Sequence, residues 1–438
     1  MTISKTTLSA PEYIASEPSK KVEVFAATKE HALAISKDIA TMYVAALGQG
    51  GIGKSGCEAY PDPDLFTEDG VKSTLLAEER QIAVAKYNDE ICGAMVADKL
   101  SPYHVEFNSM AVRLDKRGLG IGSAIVSGLK EILDASELTI NTTELVTHSL
   151  ASQAAHFQAG YRAIVGFAFC HYPRVFFAKH PESVLWVSRF QGKLVSAVKQ
   201  IRSALGRKLG TVTSDLVHTV VAAQAQGRFA TAQRLSEQQL QLAAELLLER
   251  KAYVPLAYNN IVQSILFQFE DILDRSVVSN AESTESTEPT EINKPVVEEK
   301  DGFGHAYIIY KPGFSFDQVV LDKALAALEK LEKRYILVRI PANQPEAIIL
   351  ADYLRQQKDF VFHSYLPLYG YENENEQFHD VLTLQWIAPE VLANNALPGE
   401  TDSVVKIYGY PENLSGSIVK LIASELKKNE FKPKNKND

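Results

Sequence analysis

The order of apolar periods along residues 104–190 constrains this chain more than any other feature. HVEFNSMAV (104–112) alternates as a strand, GSAIVSGLKEIL has helical spacing, and TTELVTHS returns to a strand. SLASQAAHFQAG is helical again, and AIVGFAFCHY and ESVLWVSRF close the run as strands. From residue 305 the same order recurs in HAYIIYK, DKALAALEKLEKR, YILVRIP, EAIILADYLRQQK, FVFHSYLPLY and DVLTLQWIA. Such alternation builds a mixed twisted sheet flanked by helices, an α/β (α+β) class, and its recurrence points to an internal duplication. Ahead of the first run, VEVFA (22–26), HALAISKDIATMYVAAL (31–47), QIAVAKY and EICGAMVAD add a strand, a helix and a strand pair turning at Asn88-Asp89.

Composition divides the rest. Residues 275–301 are rich in Ser, Thr, Glu and Pro, too poor in large apolar groups to offset their ordering entropy, and read as a flexible acidic linker. Residues 191–274 carry wholly helical spacing and read as a helical connecting region. The expected organisation is a disordered tail at 1–20, an α/β domain at 21–190, these two segments, and a second α/β domain at 302–438. A formal net charge of −9 argues against a nucleic-acid binder, which needs a basic surface to displace counterions. Three well-spaced cysteines fit a reducing compartment, and no stretch reaches the about 20 apolar residues of a membrane span. The expectation is a cytoplasmic protein with neither membrane nor nucleic-acid partner.

Residues 48–55, GQGGIGKS, fit the phosphate-loop pattern GxxxxGK[ST] letter by letter. That loop needs a strand before it and a helix after it. Here a helix precedes it, and the prolines of GCEAYPDPDLF follow, so the match reads as a loop near a substrate mouth. Tyr60 in that stretch either lines an acceptor pocket or packs.

MAVRLDKRGLGIGS (110–123) has the right context. A strand ends, a short turn follows, and a run of glycines opens a helix. Successive N–H groups at a helix N-terminus, reinforced by its dipole, cradle an anion, and glycines let the backbone approach it.

These residues resemble the acetyl-CoA loop of the GNAT superfamily of acyltransferases, [Q/R]-x-x-G-x-[G/A], matched by Arg117, Gly120 and Gly122. Gly160-Tyr161 fits the small motif that closes the family's next helix, so the resemblance covers about residues 20–190. ELVTHSLASQ (144–153) is similar to a Thr-His…Ser-Gln stretch of a bacterial subgroup in which a Val-Pro segment, here within 250–266, and a further α/β region follow. The resemblance implies a GNAT fold, a degenerate GNAT-like second domain, and acetyl-CoA or another acyl-CoA as co-substrate without a metal. It implies that the backbone of Met110, Ala111 and Val112 holds the pantetheine arm, with Val112 aimed at the thioester carbonyl. Arg117, Gly118, Leu119, Gly120, Ile121, Gly122 and Ser123 would take the pyrophosphate, and Ser152 and Gln153 would join the cofactor-binding set.

Some lysine-acetylating members place a Glu base where Glu106 stands; otherwise Glu106 is an exposed strand carboxylate. The family's thiol-protonating Tyr is replaced by His156, which serves as an imidazolium acid or simply packs. His148 orients a loop or bonds Gln153. In the second run, YKPGFSFDQ (310–318) has a single Gly313 and no cradle, so that half should not hold pyrophosphate; it packs on the first domain or pairs subunits as a homodimer. The leading expectation is acyl transfer from acyl-CoA to a small-molecule or peptide amine. The alternatives are a non-catalytic acyl-CoA-binding scaffold and transfer from a carrier-protein thioester.

Overall fold

The computed structural model describes residues 22–47, 60, 62–101, 104–134, 140–147, 149–161, 163–172, 181–190, 240, 252–269, 295–300, 304–372, 377–407 and 415–430. The expected N-terminal tail, the 48–55 loop, His148, and most of the helical region and linker lie outside these residues.

The first run contains β1 (Glu23–Ala27), α1 (Ala32–Leu47), α2 (Glu68–Leu76), β2 (Arg80–Tyr87), β3 (Glu90–Ser101), β4 (His104–Val112), α3 (Ile121–Asp134), β5 (Ile140–Val146), α4 (Leu150–Gln158), β6 (Ala163–Tyr172) and β7 (Glu182–Phe190). After α5 (Asn259–Phe269) come β8 (Val296–Lys300), β9 (His305–Ile309), α6 (Gln318–Lys330), β10 (Tyr335–Pro341), α7 (Glu346–Gln357), β11 (Val361–Glu372), β12 (Gln377–Ile387), α8 (Pro389–Ala393) and α9 (Ser415–Glu430).

These strands form one 12-stranded mixed sheet in the order β1-β2-β3-β4-β5-β7-β6-β11-β12-β10-β9-β8. The sets β3-β4-β5-β7-β6 and β8-β9-β10-β12-β11 share order and sense: antiparallel, parallel, antiparallel, antiparallel. β8 corrects the linker boundary, because Val296–Lys300, expected within 275–301, pairs along β9 from Ile309 to His305. Its Glu-rich composition imitates a tether because it is the outer strand, where exposed charges guard an open sheet edge.

The two runs meet edge to edge at β6 and β11, where Gly166 faces Ser364. A Cβ at Gly166 would overlap the Ser364 side chain and His363 carbonyl, so only glycine permits this approach. Gln385 on β12 stitches the joint. Its amide donates to Phe167 O (2.9 Å) and Phe362 O (2.8 Å) and accepts from Phe169 N (3.2 Å) and the Tyr335 hydroxyl. Tyr258, just before α5, stacks on Phe362 of β11 at 5.0 Å and donates to Glu425 of α9 at 3.2 Å.

Cross-strand pairing puts a row of side chains on one face. Glu106 matches Thr142, and Glu144, two residues on, matches Trp186; Gly166, Ser364, Thr383 and Arg339 continue the row. The sheet curls toward this face. The His104 ring on β4 meets Tyr369 on β11 at 5.1 Å, and Tyr369 lies 5.5 Å from the Arg339 guanidinium on β10. α1 and α2 cover the β1–β3 end of the same face over Ile82, Val84, Ala94 and Val96. α3 and α4 cover the other face over Phe107, Ile125 and Tyr161.

Candidate active site

Val112 ends β4, a 3-10 turn spans Leu114–Lys116, and α3 begins at Ile121. Arg113 pins the turn through Asp115 (Nε–Oδ1 3.0 Å, Nη2–Oδ2 2.9 Å) and through Glu90, whose carboxyl it holds below the usual range. Gly118 and Gly120 adopt φ of +82° and +76°, a left-handed geometry that side chains resist. Nothing stands within 4 Å of a Cβ built on either, so the loop faces open space. Among the described residues no acceptor takes the backbone N–H groups from Gly118 to Ser123. The 14-residue α3 therefore aims its positive dipole end and unpaired donors outward, which fits a pyrophosphate.

Beside this cradle β4 parts from β5. They pair only over His104–Phe107 with Ile140–Thr143, while β4 keeps its β3 partner out to Val112. The backbone of Asn108–Val112 that faces β5 has no strand partner there. A bulge at Ser109 (φ +53°) shapes the opening, tied by Tyr43 Oη to Ser109 O at 2.8 Å. Tyr60 packs on Phe66 at 5.5 Å and hydrogen-bonds Ser109, which places it at the gap; burial pushes its hydroxyl up to about 12. Glu106, half-buried, precedes Phe107, where the ladder ends. Asn108 next along that face donates to Asp98 (2.6 Å), and Arg80 bridges Asp98 (2.7 Å) and Asp62 (2.5 Å).

The sequence profile of the acetyltransferase (GNAT) family matches residues 53–161, the stretch that holds the cradle and the gap. The chain carries a GNAT-family acetyltransferase domain. It is an enzyme of that type, and the domain implies acyl-CoA-dependent acetyl transfer, with acetyl-CoA as the family's co-substrate. No curated protein matches the chain. Similar solved structures include an N-acetyltransferase from Staphylococcus aureus Mu50, 10% identical, covering 39% of this chain and 97% of its own, with a TM-score of 0.30. The IAA acetyltransferase from Bacillus cereus ATCC 14579 is 18% identical over 39% of this chain and 100% of its own (TM-score 0.28). The ribosomal-protein-S18-alanine N-acetyltransferase from Escherichia coli is 12% identical over 40% and 96% (TM-score 0.30).

Within the GNAT domain, Glu106 and His156 fall on opposite faces of the sheet. Phe107 points away from Glu106 and meets Tyr161 at 6.3 Å, and Tyr161 meets His156 at 5.4 Å. Of the two roles open to His156, acid or packing, its surroundings favour packing. The ring is buried, burial lowers it to about 4, and Nδ1 donates to Ser152 O at 2.9 Å. At neutral pH it is an uncharged ring whose N–H is already used. Gln153 is also enclosed: its amide donates to Val146 O (3.3 Å), Thr147 O (3.2 Å) and Lys406 O (3.0 Å), which ties the α4 entry to the second run. Ser152 is half-buried and its carbonyl serves His156.

The second run lacks both features. β9 pairs with β10 along its whole length, His305–Ile309 with Tyr335–Arg339, and leaves no gap. The Gly313 N–H donates to Gln344 (2.8 Å), and Asp317 caps α6 by accepting from Val319 N (2.8 Å) and Val320 N (3.2 Å). A carboxylate thus occupies the helix end where an anion would sit.

Several groups facing the concave side escape sequence reading. Tyr172 donates to Glu144 at 2.6 Å, and buried Glu182 is pushed up to about 8, so it stays protonated at neutral pH. Glu182 had a faint signal, as the acid that opens the apolar strand ESVLWVSRF. Arg339 had none.

Proposed function

We propose that this protein acetylates an amine by direct attack on acetyl-CoA in a ternary complex. The observation that carries the reading is the gap between β4 and β5 beside the open N–H cradle at Gly118–Ser123. The co-substrate supplies an acyl thioester whose pantetheine arm suits the unpaired edge of Met110, Ala111 and Val112. The N–H groups of the cradle bind its pyrophosphate. Glu106 takes the proton of the acceptor ammonium, directly or through one water. The freed amine bonds the acyl carbon while the carbon–sulfur bond breaks, and the Val112 N–H steadies the charge gathering on the carbonyl oxygen. Since His156 is neutral and committed to Ser152, the departing thiolate collects its proton from water; a thiol pKa of about 8.5 makes that step undemanding.

The capped α6 and the unbroken β9–β10 ladder support a second, degenerate GNAT-like unit at 302–438 that holds no cofactor. It serves by closing the acceptor side of the first domain. The open cradle at Gly118–Ser123 speaks for free CoA over a carrier-protein thioester, whose phosphopantetheine brings no pyrophosphate. Release of free thiol from acetyl-CoA in the presence of an amine panel tests the reading. Absence of release with every amine, by protein that still binds CoA, would leave the scaffold alternative standing.

A further inference from the structure

Arg339 sits on β10 with its guanidinium between two tyrosine rings, 5.0 Å from the Tyr307 centroid and 5.5 Å from Tyr369. It is half-buried, and among the described residues it has no hydrogen-bond or ion-pair partner. A guanidinium carries five donors around its edge, while aromatic rings can engage only its faces. The two rings flank its faces while its nitrogens stay reachable, so the edge opens on the concavity, where it matches a carboxylate in bidentate fashion.

The surroundings specify more than an anion. The curled face brings Glu106 and Glu144 into this neighbourhood: Glu106 acts electrostatically on Arg339, Tyr307 and Tyr369, and Glu144 acts on Tyr307 and Tyr369. Glu298 on the outer strand β8, paired with Tyr307, also acts on Arg339. One cation and several carboxylates on one concave face suit a ligand that bears both signs. The CoA cradle opens at the start of α3, on the face opposite Glu106, so this concavity belongs to the acceptor.

Resting on the acetyl-transfer reading, we propose that the acceptor is an amino acid or a similarly small amino-carboxylate. Arg339 grips its carboxylate edge-on between Tyr307 and Tyr369, and its ammonium is directed toward Glu106. The ammonium proton then passes to Glu106 as the carbon–nitrogen bond forms and the thioester bond breaks. Arg339 takes no part in that exchange; it sets which amines are accepted.

The test measures thiol release from acetyl-CoA by the full-length protein, with each standard amino acid and its carboxamide as acceptor. The accepted amino acid should exceed its amide by about 100-fold in kcat/KM, the scale of two charge-assisted hydrogen bonds. Arg339→Gln should raise KM for the acid far more than for the amide and so erase the preference, and Arg339→Lys should recover part of it. Equal use of acid and amide by the wild type overturns the proposal, as does a preference that survives in Arg339→Gln; the wild-type comparison decides even if that variant does not fold. A gain with succinyl-CoA over acetyl-CoA that needs Arg339, without acid-over-amide preference, places the carboxylate on the donor and also overturns it. If no amine is acetylated, the transfer reading fails separately. Calorimetry with the same amino acids then decides: heat lost in Arg339→Gln sustains carboxylate capture, and no heat in the wild type ends it.

Discussion

Glu144 and Arg339 hold the same place in the two runs: each is the fifth residue of the strand that lies parallel to its predecessor, and each faces the common concavity. Equivalent positions thus carry opposite charges. Tyr172 steadies Glu144 from one side, and Tyr307 and Tyr369 enclose Arg339 on the other.

Glu106→Gln retains shape and removes basicity. Turnover at neutral pH should fall by about 10²–10⁴, while acetyl-CoA affinity by calorimetry should barely change, since the cradle lies beyond the β4 turn. Residual activity should climb with pH as hydroxide replaces the carboxylate. Wild-type turnover in this variant would return Glu106 to the role of a surface carboxylate.

Gly120→Glu places an anion in the cradle and forces a side chain into φ of +76°. CoA binding should vanish with the fold intact by circular dichroism. Titration of the wild type should reach one CoA per chain, because Asp317 already caps α6; a second site of similar affinity would contradict the closed second run.

Gln385→Leu strips the β6–β11 joint of its stitch and leaves buried backbone groups of Phe167, Phe169 and Phe362 without partners. The cost should be about 3 kcal/mol, from penalties of about 1–3 kcal/mol per orphaned group and partial relaxation. Urea denaturation should show the loss as a lower midpoint, and an unchanged midpoint would mean the joint is held by other contacts.

Buried His104 and His363 are lowered to about 3, and His156 and His379 to about 4, chiefly by desolvation. Below the ordinary value of 6.5 the unfolded chain takes up protons that the folded one refuses, so stability present above pH 6.5 drains away toward pH 4. Each ring contributes about 1.4 kcal/mol per pH unit across that window. Melting curves from pH 7 to pH 4 should drop steeply; a flat profile would show that these rings protonate in the native state.

What could be read from the chain follows from how local each signal is. Arg117 to Ser123 announce themselves because turn, glycines and helix start are contiguous, and the doubled strand–helix order is a matter of period alone. Arg339 hides in YILVRIP, an ordinary buried strand whose meaning appears only when the sheet curls and brings Tyr369 over it. The two roles open to His156 cannot be separated from the sequence because a helical histidine does not disclose its burial, and Val296–Lys300 reads as a tether because an edge strand and a tether share a charged composition. The gap after Phe107 is a matter of where pairing stops, which no residue type marks.

The joint at Gly166 and Ser364 has a further bearing on how such an enzyme can diversify. A pair of identical subunits meeting along that edge would be obliged to repeat every change on both sides, so a cation gained at one strand would appear at its mate as well. Within a single polypeptide that obligation lapses. One half is at liberty to keep the thioester chemistry while the other gives it up, and the surface they share is free to become lopsided in charge.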